Sequence, residues 1–591
     1  MNYFEYQDYP KIDRSQVVIT TNLELQTGSS IEQLKEGVKP YDYASFEKDA
    51  YITSEPKKLA PLNPMLGLIS KEVSDSYGYI SPSPRIEIKL NDYYSFSGIT
   101  IGLVNNINTI SVRYADISGA TIKSKNFSPK SKLEFLDFPA ESVARIYIEL
   151  LSTKPYHFVG VYRIELGRTV IFDATNLVDA NVVSHYDVDG STIQYDVAEL
   201  TIFTGENDSE YLFQKKQPIV YKDTDGKTLH KFYIENGENK DDGTSVLTAY
   251  DSISLLEDEY LGGIFGFEIE GMYSAPKRTY EEIVDDILSD TDVEYEISDS
   301  IKDKLLTGFL PISTRRKALV TLCKGTNTRV FKRGGKLLFK DINETESRNY
   351  SRNQIAENYS VNSKSKIGKL TVTSHRYSKE LNPVELYNWY LKQGDNTMQM
   401  IKFDKPVYKI FAYEVTGVDV ETGADIVSPS VTDKVIFYHA PIGGGSEEGD
   451  LNICNYCIVK SCKTDNKIVI KGWEIIDDTN DNIYVEPADM DTNAEYDEIT
   501  IEDVTLVFDD LKYTNIALQL FAVESQIQAQ DLMLIETEKP NIGDNVSTPI
   551  IQSPVVVKAR LSTGETFDIE QNIKVCELTD NLSGVYEVTA Q

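Results

Sequence analysis

Residues 308–342 read GFLPISTRRKALVTLCKGTNTRVFKRGGKLLFKDI, and this stretch decides the fold. Gly308, Phe309, Leu310 and Pro311 make an apolar turn. Ser313 and Thr314 follow, and either hydroxyl can accept from the free N–H groups of a helical first turn. Ala318, Leu319, Leu322 and Cys323 then recur at helical spacing, so one face is apolar. Gly325 is read as the left-handed stop. Val330-Phe331 and Leu337-Leu338-Phe339 flank Gly334-Gly335, a pair that tolerates the positive φ of a two-residue hairpin. The unit is turn, capped helix, hairpin.

Working outward, residues 278–290 form an amphipathic helix, with Tyr280, Ile283, Val284, Ile287 and Leu288 on one stripe. Burying each large side chain of that stripe is worth roughly 1.5–3 kcal/mol, and the second helix is its expected partner. Two helices and a hairpin give a small α+β domain over 277–342.

The flanks read as β. Residues 84–167 hold strands at 85–90, 97–104, 109–116, 144–151 and 158–166, spaced as in an antiparallel sandwich. Residues 192–202 alternate, and 218–221 and 231–235 frame the turn Asp223-Thr224-Asp225-Gly226, a hairpin signal. A calcium loop is rejected there and at Asp187-Val188-Asp189-Gly190, because the remaining acidic ligands are missing. Strands are expected at 367–373, 398–403, 407–418 and 435–439, with a helix at 384–392. A glycine-rich linker, 441–449, precedes a helix at 515–534 and strands at 554–561 and 573–577. Before residue 84 the chain is polar, with a strand at 16–20 and a short helix at 30–36.

The chain has 591 residues, a hydrophobic content of 41% and a net charge of −34. The hydrophobic content supports packed cores, and the charge argues against a nucleic-acid surface. No apolar run is long enough to span a bilayer. The N-terminus lacks the basic-then-apolar pattern of a signal peptide, so synthesis in the cytoplasm is expected. Among the five cysteines, Cys454, Cys457 and Cys462 cluster, but 454 and 457 point to opposite faces of a strand, so structural thiols are expected. No two histidines lie within one helical turn, and no nucleophile elbow is present.

The segment carrying Gly308, Pro311, Thr314, Arg316, Ala318, Leu319, Gly335 and Leu337 resembles the "G-x-x-P-x-x-T-x-R-x-A-L … G-x-L" stretch of phage tail hub proteins of Gram-positive phages and prophages. Residues 245–257, where a strand ends on Asp251 before a short helix, resemble the first barrel of the same hubs. Residues 540–546, "P-x-I-G-D-x-V", with the helix before and strands after, resemble the hub C-terminus. Residues 84–167 resemble a discoidin-like (galactose-binding-like) jelly roll.

The resemblance implies a mainly β, multidomain chain: two hub barrels, a jelly-roll-like sandwich and a small α+β insertion. The domains are an N-terminal arm, 1–83; the sandwich, 84–167; a first barrel, 168–276; the α+β domain, 277–342; a second barrel, 343–440; and a C-terminal β-rich domain with one helix, 441–591. The implied function is a structural, non-enzymatic tail hub. It is a homotrimer forming a ring around the DNA exit channel of a virion tail tip or baseplate, assembled in the host cytoplasm. Expected partners are a distal tail or tail tube protein, and a spike, fibre or tape-measure protein. No cofactor, metal, membrane span or sequence-specific nucleic acid is expected. The alternative is a carbohydrate-binding receptor-recognition tail protein, with Tyr93, Tyr94, Tyr156 and His157 stacking on cell-wall sugar. The bland reading of those aromatics is sandwich core or rim.

Overall fold

The computed structural model describes the chain except residues 1, 9–16, 28–64, 104–106, 132, 156–158, 189, 204–216, 241–242, 267, 270–272, 275–276, 290, 292, 357–358, 364–365, 391–397, 419–421, 423–424, 429–434, 440–452, 462–466, 479–480, 492–493 and 526–527. The expected helix at 30–36 and the linker at 441–449 therefore lie outside the described residues. The architecture is mainly β and multidomain, as the pattern predicts. No described helix is long and apolar enough to cross a membrane. Two compact units form: residues 1–180 with 199–249, and 181–198 with 250–591.

In the first unit, the sandwich strands Arg85–Leu103 and Leu133–Thr153 are long and pair antiparallel, with register shifts that bend them. Ile107–Ala115 and Gly160–Leu166 pair onto them. Alternate residues such as Ile86, Ile88, Phe96, Val112, Ile146 and Ile148 fill one core. Val18–Thr21, which overlaps the strand read at 16–20, joins the same sheet through Arg85–Leu103. Tyr3–Asp8, which the sequence reading left unassigned, is a strand between Arg168–Phe172 and Pro218–Lys222. The expected turn joins Pro218–Lys222 to Thr228–Asn239, with Gly226 at φ +81°.

In the second unit, helix α1, Tyr280–Leu288, buries all five residues of its predicted stripe. Thr279 and Glu282 form its capping box. Helix α2, Arg315–Thr326, is capped by Thr314, which accepts from the Lys317 N–H at 3.2 Å. The hairpin Thr328–Arg333 with Lys336–Asp341 turns through Gly334 and Gly335 at φ +59° and +81°. Both helices and the hairpin share one apolar core.

Three expectations are corrected. Gly325 is not the left-handed stop; Asn327 is, at φ +54°. Gly325 lies inside α2, and glycine is required there because a Cβ would stand 1.8 Å from the Leu506 carbonyl oxygen of a crossing strand. Residues 384–392 are not helical: Val384–Tyr390 is a strand on Lys467–Asp477, with a bulge after Glu385. Its β-branched and aromatic side chains suit a pleated surface. The helix at 515–534 stops early. Helix α3 is Tyr513–Glu524, and Gln528–Leu534 is a strand between Ser360–Ser363 and Tyr586–Ala590.

Helix α3 packs on a five-stranded sheet ordered Tyr496–Ile501, Lys366–Ser374, Asp481–Pro487, Val555–Leu561, Thr566–Gln571. A second sheet is built on Met398–Val418, which pairs with Ile453–Ser461 and Lys467–Asp477. Strands from before and after residues 441–449 thus share one sheet.

Candidate functional site

The first hairpin strand, Thr328–Arg333, sends side chains to both of its faces, as the two-residue period of a strand requires. Val330 joins the core of the two helices, and Phe331 joins the core of the C-terminal strands. The cations between and beside them follow the same alternation.

On the Val330 face, Lys332 is buried, with its side chain only 4% exposed. Its Nζ lies 2.6 Å from Asp196 Oδ1 and 3.0 Å from Asp251 Oδ2, and donates to the Gln194 carbonyl at 2.5 Å. Burial opposes its charge, but the two carboxylates outweigh burial and hold the ammonium above the ordinary lysine range. Asp196 also accepts from the His185 N–H at 2.8 Å. Asp251 caps the 3-10 turn Ser252–Leu255 by accepting from the Ile253 N–H at 3.1 Å. The sequence pattern of a strand ending on an aspartate therefore has two physical roles: it starts a turn and neutralises a buried lysine.

On the Phe331 face, Arg329 is buried and donates through Nε and Nη2 to the Val188 carbonyl, both at 3.2 Å. Gly190, at φ +72°, makes room: a Cβ would stand 2.7 Å from the guanidinium carbon. This Asp-x-Asp-Gly segment receives an arginine. Phe331 stacks on Tyr186 with centroids 5.1 Å apart. Arg333 Nη2 and Arg348 Nε each donate to Asp544 at 2.5 Å, and Asp544 is 1% exposed. Beside them Lys574 is buried and donates to Thr345 Oγ1 at 2.9 Å and Asn545 Oδ1 at 2.8 Å. Burial, then repulsion from Arg329, lowers its pKa to about 8, against partial support from Asp544 and Asp341.

The chemistry of this arrangement is cohesion. Each buried carboxylate already holds a cation, and the strand joins three segments that are far apart in sequence: 185–196, 250–256 and 541–546. Sequence reasoning missed Lys332, Arg333, Arg348 and Asp196. The available signal was a pair of cations, Lys332 and Arg333, closing an otherwise apolar strand.

Two of the four proposed sugar contacts, Tyr93 and Tyr94, lie among the described residues. Tyr93 is 47% exposed. Tyr94 donates to Asn91 Oδ1 at 2.8 Å and packs on the sandwich core. Tyr156 and His157 lie outside the described residues. Cys323 is buried in the core of α1 and α2, and burial pushes its thiol up. Cys457 is also buried, its thiol pushed up to about 12, while the Cys454 side chain and Cys462 lie outside the described residues. His375 is held between Asp477 Oδ2 at 2.6 Å and the Glu502 carbonyl at 2.7 Å.

No family model and no curated protein matches the chain. Solved structures do. The prophage tail protein gp18 from Listeria monocytogenes EGD-e is 10% identical, with a TM-score of 0.33 over 72% of this chain and 90% of that one. The 43 kDa tail protein of prophage MuSo2 from Shewanella oneidensis is 10% identical, with a TM-score of 0.34 over 70% and 97%. The E. coli protein c3393, described as a type VI secretion component similar to the T4 tail proteins gp27 and gp5, is 7% identical, with a TM-score of 0.30 over 70% and 73%. These structural neighbours are tail proteins and a tail-like secretion component.

Proposed function

We propose that the chain is a structural tail hub of a phage or phage-like particle: a homotrimer whose ring joins the tail tube to the tail tip around the DNA exit channel. The observation that carries this reading is the convergence on Thr328–Arg333. The three stretches that resemble hub proteins, near 245–257, 308–342 and 540–546, meet there through Lys332–Asp251 and Arg333–Asp544. Blocks that share a family's order and also lock into one body act as one unit. The charge of −34 fits a lumen through which phosphate slides without sticking. In this reading 168–276 and 343–440 supply two barrel walls per chain, so three chains make six. Its neighbours are a distal tail or tube protein and a spike, fibre or tape-measure protein.

Native mass spectrometry and negative-stain imaging of the purified chain, alone and with a tail tube protein, test this reading. Threefold rings are expected. A monomer under both conditions overturns it. The exposure of Tyr93 favours a second reading for the sandwich, a discoidin-like contact with cell-wall sugar through Tyr93, Tyr94, Tyr156 and His157. Glycan-array binding that is lost in Tyr93→Ala supports that reading, and an array with no signal removes it.

A further inference from the structure

Lys574 and Asn545 are neighbours across two antiparallel segments. Two backbone hydrogen bonds flank the pair: the Val575 N–H donates to the Asp544 carbonyl at 3.0 Å, and the Val546 N–H to the Ile573 carbonyl at 2.8 Å. A pair placed between such bonds has its side chains closest together. The backbone of Lys574 is fixed on its other edge as well, since its N–H and carbonyl both bond Gln591 at 2.8 Å. Asn545–Ser547 is held by its parallel pairing with Ser347–Asn349. Lys574 and Asn545 are 3% and 7% exposed.

Three polar atoms meet there in a triangle. Lys574 Nζ lies 2.8 Å from Asn545 Oδ1 and 2.9 Å from Thr345 Oγ1, and the Thr345 hydroxyl donates to the same Asn545 oxygen at 2.8 Å. The Asn545 amide nitrogen donates to Ser347 Oγ at 3.4 Å. Burial and the Arg329 guanidinium favour the free amine of Lys574, and Asp544 and Asp341 oppose them only in part. A desolvated lysine amine is a nucleophile. A hydroxyl already donating to the amide oxygen is placed to stabilise the charge that attack on the amide carbon develops. Holding both groups in one rigid site supplies the proximity.

We propose that Lys574 and Asn545 join in an intramolecular isopeptide bond. The Nζ lone pair attacks Asn545 Cγ, one bond from the oxygen that Nζ now touches. A turn about the last Asn545 torsion, which is soft, presents that carbon. One Nζ proton transfers to the amide nitrogen, the bond from Cγ to that nitrogen breaks, and ammonia leaves. One amide replaces another, so no oxidant or cofactor is consumed. Thr345 also lines an open cleft of about 290 Å³ with Glu344 and Glu346, an exit for the ammonia. Asp544 accepts from Arg333 and Arg348 and has no proton to lend. With Thr345 as the hydroxyl that assists, the bond forms slowly after folding, and the unlinked pair is the starting state. The link closes a loop between residues 29 positions apart and fastens the last strands, Val575–Asp580 and Tyr586–Ala590, to Asn545–Ser547. This inference is independent of the tail-hub reading.

The test keeps freshly purified full chain at pH 9 and maps its peptides by mass spectrometry over several days. A peptide joining the Asn545 and Lys574 segments, lighter than their sum by one ammonia, should accumulate, and trypsin should lose its cut after Lys574. Accumulation should be at least tenfold slower at pH 6, where the amine is protonated. Thr345→Val should slow it at least tenfold, and Thr345→Ser should restore it, a rescue of rate that a purely structural threonine would not show. Lys574→Arg should give no link. Amide exchange confirms that each variant is folded. Unlinked Asn545 and Lys574 peptides in full yield from the folded wild type overturn the proposal. So does deamidation of Asn545 without a link, or a link that forms equally fast in urea.

Discussion

Two buried lysines, one on the first hairpin strand and one packed beside it, are treated in opposite ways. Lys332 and Lys574 are both almost fully removed from water. Lys332 sits between Asp196 and Asp251, while among the described residues Lys574 donates to the neutral acceptors of Thr345 and Asn545. One ammonium is held above its ordinary range and the other falls to about 8. Burial depth is therefore not what decides the charge of a buried group; the partner set does. The Lys332 face is a closed ionic lock. The Lys574 face is a strained one whose surplus positive charge is shared with Arg329, Arg333 and Arg348 around one aspartate.

The largest effect separates the two faces outright. Lys332→Met leaves two buried carboxylates without their cation and is expected to destabilise the second unit by about 3–5 kcal/mol. Amide exchange across Thr328–Arg333 reads this locally, which avoids assuming a two-state transition in a multidomain chain. Replacing Asp196 and Asp251 by asparagine together with Lys332→Met should recover part of the loss. If the single variant exchanges like the wild type, the lock is not structural.

The second effect is a pH dependence of opposite sign on the two faces. For Lys574 the folded pKa lies below the unfolded one. Between about pH 8 and pH 10.5 the unfolded chain binds more protons, so this group makes stability rise with pH, by about 3 kcal/mol in total. For Lys332 the folded pKa is raised, so its contribution is fully present below pH 10.5 and is lost only above it. Urea unfolding of wild type and Lys574→Met at pH 7.5 and pH 10 should show a gain for the wild type that the variant lacks. Parallel curves would mean that Lys574 is already neutral or not buried.

A third pair of variants compares close approaches. A Cβ on Gly325 meets the rigid Leu506 carbonyl at 1.8 Å, whereas one on Gly543 meets the Phe331 ring at 2.3 Å, from a backbone at φ +77°. A ring can tilt and a paired strand cannot. Each alanine is expected to cost about 1–3 kcal/mol, with Gly325→Ala at the upper end. Thermal unfolding of the two variants ranks them, and the reverse order would place the tighter packing on the Phe331 face.

The local half of this picture was legible in the sequence. The Thr314 cap, the α1 stripe and the Gly334-Gly335 turn depend on residues a few positions apart. The ionic half was not. Lys332 meets Asp196 across 136 positions, and Arg333 meets Asp544 across 211. No spacing rule connects such partners. Gly325 was misread for the same reason, because its glycine is required by Leu506 rather than by a helix end. Gln528–Leu534 is a strand although its Gln, Ala, Leu and Met are good helix formers. Pairing on both edges overrode that preference. Of the proposed sugar contacts, the sequence could supply aromatic residue types but not their placement.

The smallest effect tests whether the two faces are independent. Thr314 caps α2 with one hydrogen bond, from the Lys317 N–H, whereas Thr279 has a reciprocal box with Glu282. Thr314→Ala should cost about 1 kcal/mol, read by thermal unfolding, since a lost cap leaves one first-turn donor to water. Helix α2 leads through Asn327 directly into Thr328–Arg333, so fraying at its far end leaves Lys332 and Lys574 twelve or more residues away along the chain. Effects at separated sites add. The stability curve of Thr314→Ala should therefore lie below that of the wild type by the same amount at pH 7.5 and pH 10. A gap that widens with pH would mean that the cap and the Lys574 face communicate through the strand, and the two faces would then be one cooperative element rather than two.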